Sequence, residues 1–379
     1  MEVLRTVSEL LGSGALSWIV IFVVGLFVLY NSVAIVGGEE GTVIERRWIG
    51  RSMPEGRVVA MRGEVGIAAR VLGPGLHLLV PFLYKTTKHP MVTIDEDEIG
   101  LVESIDGIPV QSGRIFAQAV AGHNFFQDGE AFLRSNGEKG PQIQVLPPGL
   151  YRINPYLFRV EKVPAVSIDN NKIGVVVATD GAPISPGRLL GKRVPDHSNF
   201  QNGEGFLAQG GQKGPQIDVL LPGSYRINSK LFEVQIKDAT MVPAKKVGLA
   251  TARDGEPMPS TEYVAKTVGG HRDFQDAAAF LANGGQRGPQ LDFLRPGTYY
   301  DNPFMFEVAL DDVLQVQRGE VAVIVSNIGK DPAVDYLTQG RTSADETIRQ
   351  GVERYVVESG FRGIQRDVLG PGTYYLNKL

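Results

Sequence analysis

The strongest pattern along the chain is an uninterrupted apolar stretch near its start: Ala15 to Val36 reads ALSWIVIFVVGLFVLYNSVAIV, with no charge. As a helix such a stretch rises about 33 Å, the thickness of a bilayer core. A buried globular helix of that length would show a polar face, and a cleaved signal peptide would carry a shorter apolar region ending at a small-x-small site. The pattern predicts a transmembrane helix over 15–36, with Trp18, Ile19, Phe22, Val23, Leu26, Phe27 and Tyr30 as its membrane-anchoring side chains. Arg5 precedes it, whereas Arg46, Arg47 and Arg51 follow, so the positive-inside rule places the bulk of the chain in the cytoplasm. A periplasmic or other extracytoplasmic placement is the alternative.

Beyond residue 40 the pattern changes to short extended runs separated by turn residues. Ile99–Ser104 reads as a strand, and Asp106-Gly107 as a hairpin turn. Phe125–Leu133, stopping at Asn136-Gly137, reads as a short helix with a glycine cap. Gln142–Leu146 and Leu150–Asn154 around Pro148-Gly149 read as a second hairpin, and Phe158–Val166 as a third extended run.

This unit repeats with a period of 74 residues: His123, His197 and His271; Phe126, Phe200 and Phe274; Phe132, Phe206 and Phe280; Asn154, Asn228 and Asn302. The triplet Gly-Pro-Gln recurs at 140–142, 214–216 and 288–290. Pro74-Gly75 upstream and Pro371-Gly372 downstream extend the series to five copies, of which the first lacks about seventeen residues between Gly56 and Gly66. The expected organisation is an N-terminal flank (1–14), the transmembrane helix (15–36), a short β-module (41–94), three full modules (95–168, 169–242 and 243–316) and an incomplete one (317–379). The fold class is thus mainly β with short helices, tandem β-modules behind a membrane anchor, each module burying its apolar face partly against its neighbours. Ser343–Val357 reads as an amphipathic helix with a capping box at Ser343 and Glu346.

Composition supports this picture and excludes others. The 46 glycines and 23 prolines, without low-complexity tracts, suit many turns between short strands. A net charge of −4 from interspersed residues offers no basic footprint for nucleic acid. The absence of cysteine removes disulfides, thiolate metal sites and cysteine nucleophiles.

The histidines are the first candidates for chemistry, but three of the five share one repeat position, which favours a turn or cap role; a metal held between subunits is the sharper alternative. The loops Gly137–Pro141, Gly211–Pro215 and Gly285–Pro289 lack P-loop spacing and lead into a strand, so they read as connections, not phosphate cradles. No nucleophile elbow or catalytic triad order emerges, and neither an enzyme nor a cofactor is expected. Lys139, Lys213 and Arg287 in those loops, with Phe126, Phe200 and Phe274 beside the histidines, are the candidate contacts between subunits.

One stretch carries a family likeness. Gly63-Glu64-Val65-Gly66-Ile67, leading to Leu72-Gly73-Pro74-Gly75-Leu76-His77-Leu78-Leu79-Val80-Pro81-Phe82, resembles the opening of SPFH (band 7) proteins such as stomatins, prohibitins and flotillins, and is restated at Gly363–Tyr375. The glycine- and proline-rich repeats are also similar to those of the major vault protein. The resemblance implies a membrane-anchored scaffold that oligomerises into a ring or cage, organising a membrane microdomain or its proteins, with partners such as a membrane protease. Family members usually continue into an α/β core and a long coiled coil, whereas this sequence stops at Leu379, inside the fifth module, as a fragment would. A rigid membrane-tethered stalk presenting a further domain, and an envelope-associated binding protein or hydrolase, are the alternatives.

Overall fold

Four central strands organise the chain: Glu40–Arg46, Glu98–Ser104, Lys172–Ala178 and Lys246–Ala252. Each is rich in β-branched or aliphatic residues and buried on both faces over its middle, where strand propensity and burial agree. Each pairs antiparallel with a return strand seven residues long, namely Tyr84–Pro90, Phe158–Pro164, Phe232–Asp238 and Phe306–Asp312. On its other side lies a third strand beginning at Gly66, Gly140, Gly214 or Gly288. A small two-stranded sheet completes the module, as in Val92–Ile94 with Gly149–Tyr151 or Thr240–Val242 with Gly297–Tyr299.

This computed structural model describes residues 15–330, 356–357 and 359–378. They form two compact units: one of the described residues up to Val166 with Asp196–Phe206 and Tyr225–Leu231, the other of Ser167–Pro195, Leu207–Ser224 and the described residues from Phe232 onward. The expected flank 1–14 lies outside the described residues. So does the helix expected over 343–357, except Val356–Val357, which form a strand beside Gly363–Leu369.

The transmembrane helix expected over 15–36 is overturned. Helix α1 covers Ala15–Ser32, 18 residues, which rise about 27 Å. Among the described residues no helix is long and apolar enough to cross a membrane. The apolar run continues past Ser32, but Val33–Val36 is a strand that pairs with Gly75–Leu78. Its β-branched residues suit that role. Val36 is buried at 4 % exposure, as Ile94 and Val242 are at the ends of the equivalent strands. One apolar run therefore serves two elements.

Two turns also differ from expectation. Asp106-Gly107 is a junction, not a hairpin tip: the chain leaves into the insertion, returns, and pairs back there through Ile108 N–H to Gly137 O and Lys139 N–H to Ile108 O. Gly107 has φ +140°, and a Cβ on it would stand 2.3 Å from Gly137 O, so a side chain fits neither the backbone nor the space. Pro148-Gly149 is a corner that carries the chain from one sheet to the other, since Gly149–Tyr151 pairs with Val92–Ile94.

The first copy runs from Arg46 to Gly66 between its central and third strands, whereas the equivalent path in the third copy runs from Ala178 to Gly214. The longer path holds a short helix in each full copy: α2 (Gly129–Arg134), α3 (Gly203–Ala208) and α4 (Ala277–Ala282). In the first unit, Phe126, Phe132 and Phe158 form a core with Val59 and Ala69 of the preceding copy. In the second, Phe274, Phe280 and Phe306 do the same with Leu190 and Ile217. Burying a phenylalanine is worth about 1.5–3 kcal/mol. The insertion is thus glue to the copy before it.

Candidate functional site

Runs of consecutive left-handed residues recur in these insertions. Asn124, Phe125 and Phe126 have φ of 47°, 51° and 62°, and the same left-handed turn recurs at Ser198–Phe200 and Arg272–Phe274. Left-handed conformation costs roughly 1–2 kcal/mol per ordinary residue, so something must hold the turn. The histidine does: the Phe126 N–H donates to His123 Nδ1 at 2.8 Å, and the Asp128 N–H to the His123 carbonyl at 3.0 Å. The imidazole stacks on the Phe126 ring with centroids 4.4 Å apart. His197 with Phe200, and His271 with Phe274, repeat the bond at 2.8 Å.

An Nδ1 that accepts must be unprotonated, which places the proton of neutral His123 on Nε2. Burial lowers the pKa of His123 from its ordinary value, against the opposing pull of the Val120 carbonyl and Asp128. The next residue ties the turn down. Gln127 donates from Nε2 to the Asn124 carbonyl and accepts the Arg152 N–H, as Gln201 does with Ser198 and Arg226 and Gln275 with Arg272 and Tyr300. These glutamines recur at the repeat spacing, the one signal that would have marked them in the sequence.

Asparagine at the end of the corner strand makes a second repeated contact. Asn154 Nδ2 donates to the carbonyls of Ala68 and Ala69, 2.8 and 3.0 Å away, while its Oδ1 accepts the Tyr156 N–H. Asn228 bonds Gln142 and Ile143 in the same way, Asn302 bonds Gln216 and Ile217, and Asn377 bonds Gln290 and Leu291. Each amide reaches back to the preceding copy, to its third strand or, for Asn228, to the two residues that follow that strand.

The Gly-Pro-Gln loops are filled from within. Gln142 Nε2 donates to the carbonyls of Glu138 and Gly140, and Gln216 and Gln290 close their loops identically. Carbonyl oxygens, not N–H groups, point inward, which is the wrong polarity for phosphate. Among the described residues no group of three or more histidine, aspartate or glutamate side chains could hold a metal ion.

The sequence candidates fall into three sets. Lys139, Lys213 and Arg287 are exposed and make no ion pair among the described residues; Arg287 Nη2 lies 3.5 Å from the Gly187 carbonyl. Phe126, Phe200 and Phe274 are 1–2 % exposed. Buried side chains have no surface to offer another subunit, so these three are corrected to core residues. Trp18, Ile19, Phe22, Val23, Leu26, Phe27 and Tyr30 on α1 are each at least half exposed along one half of the helix, and Val20, Ile21 and Val24 are equally exposed on the other.

The remaining open feature is the return strand of each module. Among the described residues it pairs on one edge only, while the opposite side of the sheet is lined by the returning insertion through bridges such as Ala117 to Gln142 and Ala265 to Gln290. No protein-family model matches the chain, and no curated protein matches it.

Proposed function

We propose that the chain is a non-enzymatic scaffold of the SPFH kind that associates edge to edge with copies of itself into a ring or wall at a membrane surface. The observation that carries this reading is the return strand: among the described residues Tyr84–Pro90, Phe158–Pro164, Phe232–Asp238 and Phe306–Asp312 each lie at the edge of their sheet and pair with a strand on one side only, so alternate backbone groups face away from the sheet. Such an edge is a template for a neighbouring chain, and closure of a ring hides it. Helix α1 supports the membrane part, since a helix apolar on every side and exposed from Trp18 to Tyr30 needs an apolar phase around it.

The test is particle mass after detergent extraction. A ring exceeds the 41.1 kDa chain by more than about tenfold, and a monomer or dimer would exclude it in favour of a tethered stalk. Ile236 and Leu310 are exposed on the return strands at 48 and 46 %. The double variant I236K/L310K is expected to reduce the particle towards single chains, and charge reversal at Lys139, Lys213 and Arg287 together to weaken it.

A further inference from the structure

The first module differs from the others at the end that meets α1. The Leu79 N–H donates to the Ser32 carbonyl at 2.7 Å, and Phe82 lies against Phe27 with ring centroids 6.1 Å apart. Trp48 Nε1 donates to the Phe82 carbonyl at 2.8 Å, and the Arg47 N–H to the Leu83 carbonyl at 3.0 Å. Helix, Phe82 loop and Trp48 loop thus form one continuous surface. Two bulky side chains on it sit on left-handed backbone, Ile49 at φ 50° and Phe82 at φ 64°. A β-branched residue there is a true outlier, and strain of this sort collects at functional sites. Trp48, Ile49 and Phe82 are 54, 71 and 53 % exposed, so the strain holds apolar side chains out into solvent and covers no core.

Arginines surround them. Arg47, Arg51 and Arg62 are exposed and make no ion pair among the described residues, and Arg51 Nη2 donates to the Arg62 carbonyl at 3.2 Å, which ties the Trp48 loop to the turn at Arg62. Of the acids in these segments, Glu45 lies 3.9 Å from Lys85, Glu40 is 2.8 Å from Lys88 and Glu64 accepts the Met61 N–H, while Glu39 and Glu55 are exposed, which leaves the three arginines one charge in excess of the two free carboxylates. Aromatic and aliphatic side chains beside guanidinium groups that have no carboxylate partner, next to a helix that needs an apolar phase, match a bilayer surface rich in anionic headgroups: rings at the headgroup level, guanidinium groups on lipid phosphates.

We propose that the Trp48 and Phe82 loops, with Arg47, Arg51 and Arg62, form a binding face for anionic lipid, which rests on the membrane part of the proposed function and adds a lipid class to it. The full chain would be reconstituted with vesicles of neutral phosphatidylcholine and with vesicles containing anionic phosphatidylglycerol, and bound protein measured by flotation at low and high salt. Binding is expected to favour anionic vesicles by roughly fivefold per arginine engaged, and salt to erase the preference. The variant R47Q/R51Q/R62Q should lose the preference yet still float with neutral vesicles through α1, and W48S/F82S should weaken binding to both. Equal binding of the wild type to both vesicles, or a preference that survives the triple variant, would overturn the proposal. No flotation with either would instead sink the membrane reading beneath it, and particle mass would be unaffected by that result.

Discussion

At the scale of single residues, His123 and Asp301 carry the sharpest consequences. Folding holds His123 neutral, because its Nδ1 accepts a hydrogen bond and burial lowers its pKa. As pH falls through about 6.5 the unfolded chain takes up a proton that the folded one resists, so stability falls with falling pH across that window. Hydrogen exchange of residues 124–137 should therefore quicken between pH 7.5 and 5.5. In His123→Ala exchange should already be fast at neutral pH, with a cost of about 1–3 kcal/mol for the stranded Phe126 N–H. Asp301 behaves oppositely. It stands where the second and third copies have Ile153 and Ile227, is 3 % exposed, leaves Oδ1 without a partner, and has its pKa raised by burial despite a bond to Thr240. Between the ordinary carboxyl pKa and the raised one the folded form binds more protons, so this residue's contribution falls as pH rises. Asp301→Ile is expected to raise stability at pH 7 by about 1–3 kcal/mol, read as a higher melting temperature; no change would mean that hidden water solvates the carboxyl.

At the scale of elements, the contacts that matter reach from one copy to the one before. Asn302→Ala leaves two carbonyls without donors and should cost about 2–4 kcal/mol, with protection lost first at Gln216 and Ile217. The repeats were legible in the sequence because identical contacts demand identical residues: His, Phe, Gln and Asn recur at one spacing since each makes the same bond in each copy. What those residues touch was not legible. Phe126 looked available because three consecutive left-handed residues are not signalled by Asn-Phe-Phe, Ser-Asn-Phe or Arg-Asp-Phe, and the ring's partners Val59 and Ala69 are over fifty residues away. Hydrophobicity alone could not divide Ala15–Val36 either, since a lipid-loving helix and a buried β-strand draw on the same residues. Only the partner strand Gly75–Leu78 makes the division at Ser32.

At the scale of the whole molecule, each full copy carries an insertion that grips its predecessor, and the first copy, preceded by α1, carries none. A chain lacking residues 33–90 should therefore keep its later modules but leave the aromatic core around Phe126, Phe132 and Phe158 open on the side of Val59 and Ala69, which binding of a hydrophobic dye would report. The backward direction of that grip also orders events in time. A segment that closes onto the copy before it and onto the rest of its own copy can settle once its own copy has emerged from the ribosome. Its aromatic side chains are sheltered by a surface already made, and each finished copy becomes the template for the next.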